Sequence, residues 1–370
     1  MSELRVLYIT PLYSEGDEGR LARFHDLLTA VDERGEIDYD ILNLTTRNSN
    51  DEEDNIQRTQ SYRSFLRDVY TKSPEYDIVQ IVSSGSVVAG WLPTAIVRNS
   101  NVAIGPTILG YESVRPGPRY DLREIPWQQR IKYTVDNTMR RVLLSGASPV
   151  SRRFEAVYAL GEYHKELLEN MGVPTRKITI IPPGVNTRVF SPEGDRYETG
   201  TDLTLLYVGP YSRHKGYDVF IEALERLPEG LDVHAVVAGD DSPRDVPASL
   251  RDDVTFLRYR PRSSLAKLYR GCDLYVQPSH DEVVPTTMVE ALACGTPVVA
   301  TDRLGFSECK RGDNCLLFQR SDPTALADTI EQYAADRARY DESAMAHATA
   351  YDIGHAYNSV RESYADMIGS

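Results

Sequence analysis

Short apolar runs alternate with amphipathic helical stretches along all 370 residues, and this alternation restricts the fold more than any other feature of the chain. A strand, a helix and a second strand in succession make a parallel crossover, because a tight hairpin leaves no room for the helix. In the first half, strands are expected near Arg5–Ile9, Tyr39–Leu44, Asp77–Val82, Val102–Gly105, Ala156–Ala159 and Ile178–Pro182. The second half restarts with Leu203–Val208 and continues through Val233–Ala238, Val254–Leu257, Asp273–Val276, Pro297–Ala300 and Cys315–Phe318. Between the halves, Pro182-Pro183-Gly184 and the polar segment Ser191–Asp202 read as a linker. The helix Glu162–Met171 should end at Gly172 in a left-handed cap, and Asp322-Pro323 should cap and open a late helix. The pattern is that of an α/β protein with two doubly wound parallel sheets and a substrate cleft between them.

Charge and composition remove several classes of function. A net charge of −14 argues against nucleic acid as a partner, since phosphate backbones are bound by clustered positive charge. Apolar residues make up 41% of the chain, and no run approaches the ~20 residues that span a bilayer. Met1 to Thr10 reads as a first strand and not as a signal peptide, so the expected compartment is the cytoplasm. Lysine occurs only at positions 72, 132, 165, 177, 215, 267 and 310, and this acid excess suggests a halophilic source. The four cysteines, Cys272, Cys294, Cys309 and Cys315, have neither CxxC spacing nor a histidine cluster, so reduced thiols and no metal site are expected.

The segment from Pro278 to Ala300 carries the chemistry. The strand ending at Pro278 leads into a loop with Glu282, then into a helix expected to begin near Pro285, with Glu290 about one turn inside. Ligands bind α/β sheets at such a strand-loop-helix crevice, and a helix start offers free N–H groups to an anion. Two carboxylates eight residues apart suit a nucleotide sugar: one accepts from sugar hydroxyls, the other from a ribose diol, and phosphates rest on amides around Val284, Pro285, Thr286 and Thr287. Thr286 and Thr287 add hydroxyls. Taken alone, the two glutamates read more readily as a solvated loop residue and an exposed helix residue, because acidic side chains are usually exposed.

Strand Leu203–Val208 ends in Gly209, followed by Pro210-Tyr211-Ser212-Arg213-His214-Lys215-Gly216 and a helix. Basic side chains in a short loop at the carboxyl end of a strand neutralise a diphosphate, whose charge grows as a sugar departs. A solvated basic turn is the alternative.

The Pro278–Ala300 segment resembles the signature of retaining glycosyltransferase family 4, the glycosyl transferases group 1, through Pro278-Ser279, Glu282, Glu290-Ala291 and Gly295-Thr296-Pro297-Val298. The stretch Ala156–Asn186, with Ile181-Pro182-Pro183-Gly184-Val185-Asn186, is similar to the family's domain-closing segment. The resemblance implies the GT-B fold: two Rossmann-like domains facing across a cleft, with a final helix, here Asp352–Ile368, crossing back onto the first. Domain boundaries are then 1–185 with 351–370 for the acceptor side, and 186–350 for the nucleotide-sugar side.

Residue by residue, the resemblance puts Glu282 on the donor sugar, Glu290 on the ribose and Lys215 on the diphosphate. Pro210 stands where the family has arginine, so Arg213 is the expected substitute. Val283-Val284-Pro285 replaces a glycine-rich run. The Ala238-Gly239-Asp240-Asp241 turn shapes the nucleotide pocket, and Tyr259, between Arg258 and Arg260, faces the base or else belongs to a plain surface loop. Gly19 stands in for the Gly-Gly pair of the first strand-to-helix turn, and the region Ile104–Tyr111 lacks the histidine many relatives carry there.

The implied activity is transfer of a sugar from a nucleoside-diphosphate sugar to a hydroxyl acceptor with retained configuration, a hexosyltransferase reaction in cell-surface glycan or glycolipid synthesis. The donor is a co-substrate, and no metal or other cofactor is implied. The acceptor is a saccharide or a lipid-linked group. Arg130, Lys132, Arg140 and Arg141 beside Trp127 form either a peripheral membrane contact or a solvated helix face. A binding homologue or partner subunit without activity is the alternative, and a nucleotide-sugar epimerase on the same fold is a third reading.

Overall fold

The computed structural model describes the chain except residues 1–3, 12–21, 45–55, 60, 83–92, 106–150, 199, 212–214, 240–245, 281, 303–313 and 370. The chain forms two compact units, Met1–Pro182 with Gly354–Ser370, and Pro183–Ile353. The segments where the chain passes between the units are bonded to each other. Val185 N–H donates to the Tyr351 carbonyl and Ile353 N–H to the Val185 carbonyl, each at 2.9 Å. Thr187 also donates to the Asp352 carboxylate, and a side chain on Gly184 would come within 2.8 Å of Ile353 Cα.

In the first unit, seven parallel strands lie in the order β3-β2-β1-β4-β5-β6-β7. They are β1 (Leu4–Pro11), β2 (Ile37–Leu44), β3 (Ile56–Thr59), β4 (Ile78–Ile81), β5 (Val102–Ile104), β6 (Ala156–Ala159) and β7 (Ile178–Ile180). Helices α1 (Ala22–Arg34), α2 (Tyr62–Lys72) and α3 (Glu162–Asn170) belong to this unit. Strand β3 was not expected. Its sequence, Ile-Gln-Arg-Thr, has one apolar residue and sits at the sheet edge, half-buried throughout, so no apolar run marks it. Beyond α3, Gly172 takes φ +91°, and Val173 N–H closes the cap on the Leu168 carbonyl at 3.0 Å.

The second unit contains β8 (Leu203–Gly209), α4 (Tyr217–Leu224), β9 (Val233–Gly239), β10 (Val254–Arg258), α5 (Arg262–Gly271), β11 (Leu274–Gln277), α6 (Thr286–Ala293), β12 (Val298–Thr301), β13 (Cys315–Phe318), α7 (Pro323–Ala335) and α8 (Arg337–His347). Its six parallel strands run β10-β9-β8-β11-β12-β13. Leu205, Val237, Val276 and Val299 from the sheet meet Phe220, Leu326 and Ile330 from helices in one apolar core. Burial of such side chains contributes about 1.5–3 kcal/mol each. Asp322 caps α7 by accepting from Thr324 and Ala325 N–H at 3.0 Å, with Pro323 at the first helical position.

The final helix, α9 (Ile353–Gly369), lies almost wholly within the first unit. Its Tyr364 hydroxyl donates to Gln80, whose own amide donates to the Gly105 carbonyl at 2.7 Å. Among the described residues, no helix is long and apolar enough to cross a membrane. The expectation of four reduced cysteines is corrected at one position: Cys272 and Cys294 are free thiols, but Cys315 is disulfide-bonded.

Candidate functional site

Strand order in the second unit changes direction between β8 and β11, which are neighbours and parallel. Crossovers leave the two strands toward opposite sides there, so the loops at their carboxyl ends part and form a crevice. One loop carries Lys215 and the other Glu282. Glycine brings them together. Gly216 precedes α4 in the left-handed conformation, φ +69°, and a side chain there would strike the Pro278 carbonyl that begins the Glu282 loop. The Glu282 loop is anchored in turn, since Gln277 donates to Ser279 Oγ at 2.6 Å and Thr301 to the Ser279 carbonyl at 3.1 Å. Gly216→Ala should therefore destabilise the second unit by at least about 2 kcal/mol, combining left-handed strain with backbone displacement. Thermal unfolding of the variant checks this, and an unchanged midpoint would contradict it.

Lys215 Nζ and Glu282 Oε1 form an ion pair with side chains 31% and 19% exposed. A half-buried pair of this kind adds little to stability. Its groups are nonetheless placed to exchange partners, the ammonium for a phosphate and the carboxylate for a polyol. Gly209, at the tip of β8, is packed so closely against β9 that a side chain on Gly239 would strike its carbonyl.

After Glu282 the chain buries Val283, Val284 and Pro285 and enters α6. Pro285 is the N-cap, one position earlier than expected, with ψ 126°, and Thr286 is the first helical residue. No side chain caps this helix, so its first backbone amides retain their capacity for an anion. Thr286 is half-buried. Thr287 is committed to the protein: its hydroxyl accepts from Tyr275 at 2.8 Å and donates to Gln277 Oε1 at 3.1 Å.

Glu290, one turn further on, is only 3% exposed. Its Oε1 pairs with the Arg262 guanidinium at 3.3 Å, and its Oε2 accepts from the Tyr269 hydroxyl at 3.0 Å. Burial, and then the negative charge of Glu290, pushes the Tyr269 phenol well above its ordinary range, which keeps it a donor. The guanidinium also lies 4.8 Å over the Phe190 ring. Sequence reasoning missed both Arg262 and Tyr269. One signal was present: Arg262 opens α5, the end of a helix where the backbone dipole disfavours a cation.

Tyr259 follows β10 and is 59% exposed. It stands two strand spacings, roughly 10 Å, from β8. Arg213 and Gly19 lie outside the described residues, as do Asp240-Asp241, the Ile104–Tyr111 region beyond Gly105 and the basic segment around Trp127.

The model of the family described as glycosyl transferases group 1 matches residues 195–350. A D-inositol 3-phosphate glycosyltransferase of Mycolicibacterium gilvum is 30% identical over 294 residues, covering 74% of this chain and 59% of that protein. The chain spans about half to three-fifths of the length of such curated relatives. Among solved structures, sucrose-phosphate synthase from Thermosynechococcus elongatus superposes with a TM-score of 0.73 at 18% identity, over 99% of each chain. Anabaena HepE in complex with UDP-glucose does so with a TM-score of 0.70 at 17% identity, over 98% of this chain and 100% of that one. Two parallel Rossmann-like sheets and a fold shared along the whole chain with solved glycosyltransferases give this chain the GT-B fold, and residues 195–350 belong to the glycosyl transferases group 1.

Proposed function

We propose that the chain transfers a sugar from a nucleoside-diphosphate sugar to a hydroxyl acceptor, with retention of anomeric configuration. One observation carries the reading. The Lys215 ammonium and the Glu282 carboxylate reach a common point from the two loops that flank the switch in strand order, followed directly by an uncapped helix start.

In the reaction, the bond from the anomeric carbon to the phosphate oxygen breaks and the acceptor oxygen bonds to that carbon on the same face. The acceptor proton passes to the departing phosphate oxygen, so no protein base is needed. Lys215 opposes the charge that grows on the diphosphate, a contribution larger in the transition state than in the ground state. Glu282 accepts from the sugar hydroxyls and Glu290 from the ribose, while the first amides of α6 meet the phosphates. Arg213 is the second cation for the diphosphate, Tyr259 meets the base, and Gly19 faces the acceptor end.

HepE was solved with UDP-glucose, which supports a nucleotide-sugar donor. Several curated relatives bear the name D-inositol 3-phosphate glycosyltransferase, which supports a cyclitol or sugar hydroxyl as the acceptor. A lipid-linked saccharide in cell-surface glycan synthesis falls in the same class, with the reaction in the cytoplasm and a peripheral membrane contact through the first unit.

The test is calorimetry with UDP, GDP and their sugars in concentrated KCl, followed by an assay for slow hydrolysis of whichever donor binds. Binding with hydrolysis is expected. Binding without hydrolysis, or transfer, points to a homologue that only binds. No binding by any donor overturns the reading.

A further inference from the structure

The loop that carries Glu282 is fastened at two successive residues ahead of the carboxylate. Ser279 is wholly buried, and its carbonyl accepts from Thr301 at the end of β12. His280 is held from one strand further out. Its Nδ1 is joined to Ser321 Oγ by a hydrogen bond of 2.8 Å, and its carbonyl accepts from the Arg320 guanidinium at 3.3 Å. Arg320 is fixed in turn, since its backbone N–H donates to the Asp302 carboxylate at 3.2 Å. Strand β13 is not a neighbour of β11, so the turn after it reaches across the end of β12 to make these bonds.

That turn is strained. Among the described residues, Ser321 is the single non-glycine residue with a positive φ, +60°, and it stands between β13 and the N-cap of α7. A side chain in the left-handed region carries a steric cost that glycine avoids. Such strain persists where the surroundings impose it, and it clusters at functional sites. What serine supplies there and glycine lacks is a hydroxyl, which is bonded to His280, two residues before Glu282.

We propose that Ser321 and His280 are positioning residues for the sugar end of the donor, locking the Glu282 loop from the β13 side while Lys215 meets it from the β8 side. The inference rests on the reading, given above, that Glu282 accepts from the sugar hydroxyls. Strand order explains the need for a second anchor. Lys215 and Glu282 are paired across β8 and β11, and a donor that takes Lys215 to its diphosphate removes that tie. The bonds to His280 lie on the other flank of β11 and are untouched by the exchange. They keep the carboxylate in register with the sugar, where a small misplacement is enough to lose the contact.

The experiment measures affinities for UDP, UDP-glucose, GDP and GDP-mannose in the full chain and its Ser321→Ala, Ser321→Gly, His280→Leu, His280→Asn and Glu282→Ala variants. For the pair that binds, the ratio of sugar-nucleotide to nucleotide affinity isolates the contact with the sugar. Ser321→Ala and Ser321→Gly should each lower that ratio by about tenfold, the effect of one hydrogen bond to a charged group, with nucleotide affinity unchanged. Their melting temperatures should differ, glycine lying a few degrees above alanine because it alone relieves the left-handed turn. His280→Leu should lower the ratio as far, while His280→Asn, with a polar atom where Nδ1 stood, should keep most of it. Serine variants with an unchanged ratio overturn the proposal, as do two histidine variants with the same ratio. A ratio that follows the melting temperature, or an equal loss for nucleotide and sugar nucleotide, also overturns it, since either marks a purely structural turn. A Glu282→Ala variant that keeps the ratio of the unmodified protein instead overturns the assignment of Glu282, and no binding by either pair overturns the donor reading itself.

Discussion

Glu290→Ala should weaken nucleoside-diphosphate binding by about 100-fold, because hydrogen bonds to a charged acceptor contribute about 1.5–3 kcal/mol each and both ribose hydroxyls lose theirs. The same variant should lose stability. Removing the carboxylate takes from Arg262, only 12% exposed, its ion pair with Glu290, a change that costs about 3 kcal/mol when one partner of a buried pair is deleted. The Tyr269 phenol loses its acceptor as well. Calorimetric titration and thermal unfolding of one preparation separate the effects. If affinity survives while the melting temperature falls, Glu290 is a structural member of the α5–α6 packing and nothing more.

Lys215→Ala should show the opposite profile. Its ion pair with Glu282 is partly exposed on both sides, so the melting temperature should barely move. Turnover should fall by about 10²–10³, the effect of deleting one group that stabilises developing charge, with donor affinity falling far less. Single-turnover transfer with saturating donor measures this. Equal losses in affinity and turnover would mean that Lys215 binds the ground state and the transition state alike. In that case the diphosphate's growing charge is met elsewhere.

The contrast between the two glutamates shows how far the sequence reveals this site. The eight-residue spacing and the helix start beyond Pro285 were legible because they are local. Pro278, Glu282 and Glu290 follow one another through one strand, one loop and one helix. The partners of Glu290 were not legible. Arg262 and Tyr269 lie 28 and 21 residues earlier, and only the packing of α5 on α6 brings them to the carboxylate. Likewise Lys215 and Glu282 are 67 residues apart, and they meet because β8 and β11 are neighbours at the point where strand order turns.

The fold divided along the same line. Helix ends set by single residues were readable, as at Gly172 and Asp322, where the local hydrogen bonds follow from the residue type. Buried strands such as Tyr207-bearing β8 and β9 announced themselves as apolar runs. Edge strand β3 did not, since a half-buried strand with one apolar residue leaves no periodic signal. The disulfide at Cys315 was also invisible, because cysteine spacing carries no information about which thiols the fold brings close.

The most direct test is a crystal structure of the full chain with the nucleoside diphosphate that binds most tightly. The account predicts that Lys215 turns from Glu282 to the diphosphate, while both ribose hydroxyls reach Glu290 with Arg262 still bonded to it. A nucleotide seated elsewhere, with Lys215 and Glu282 still paired, would contradict it.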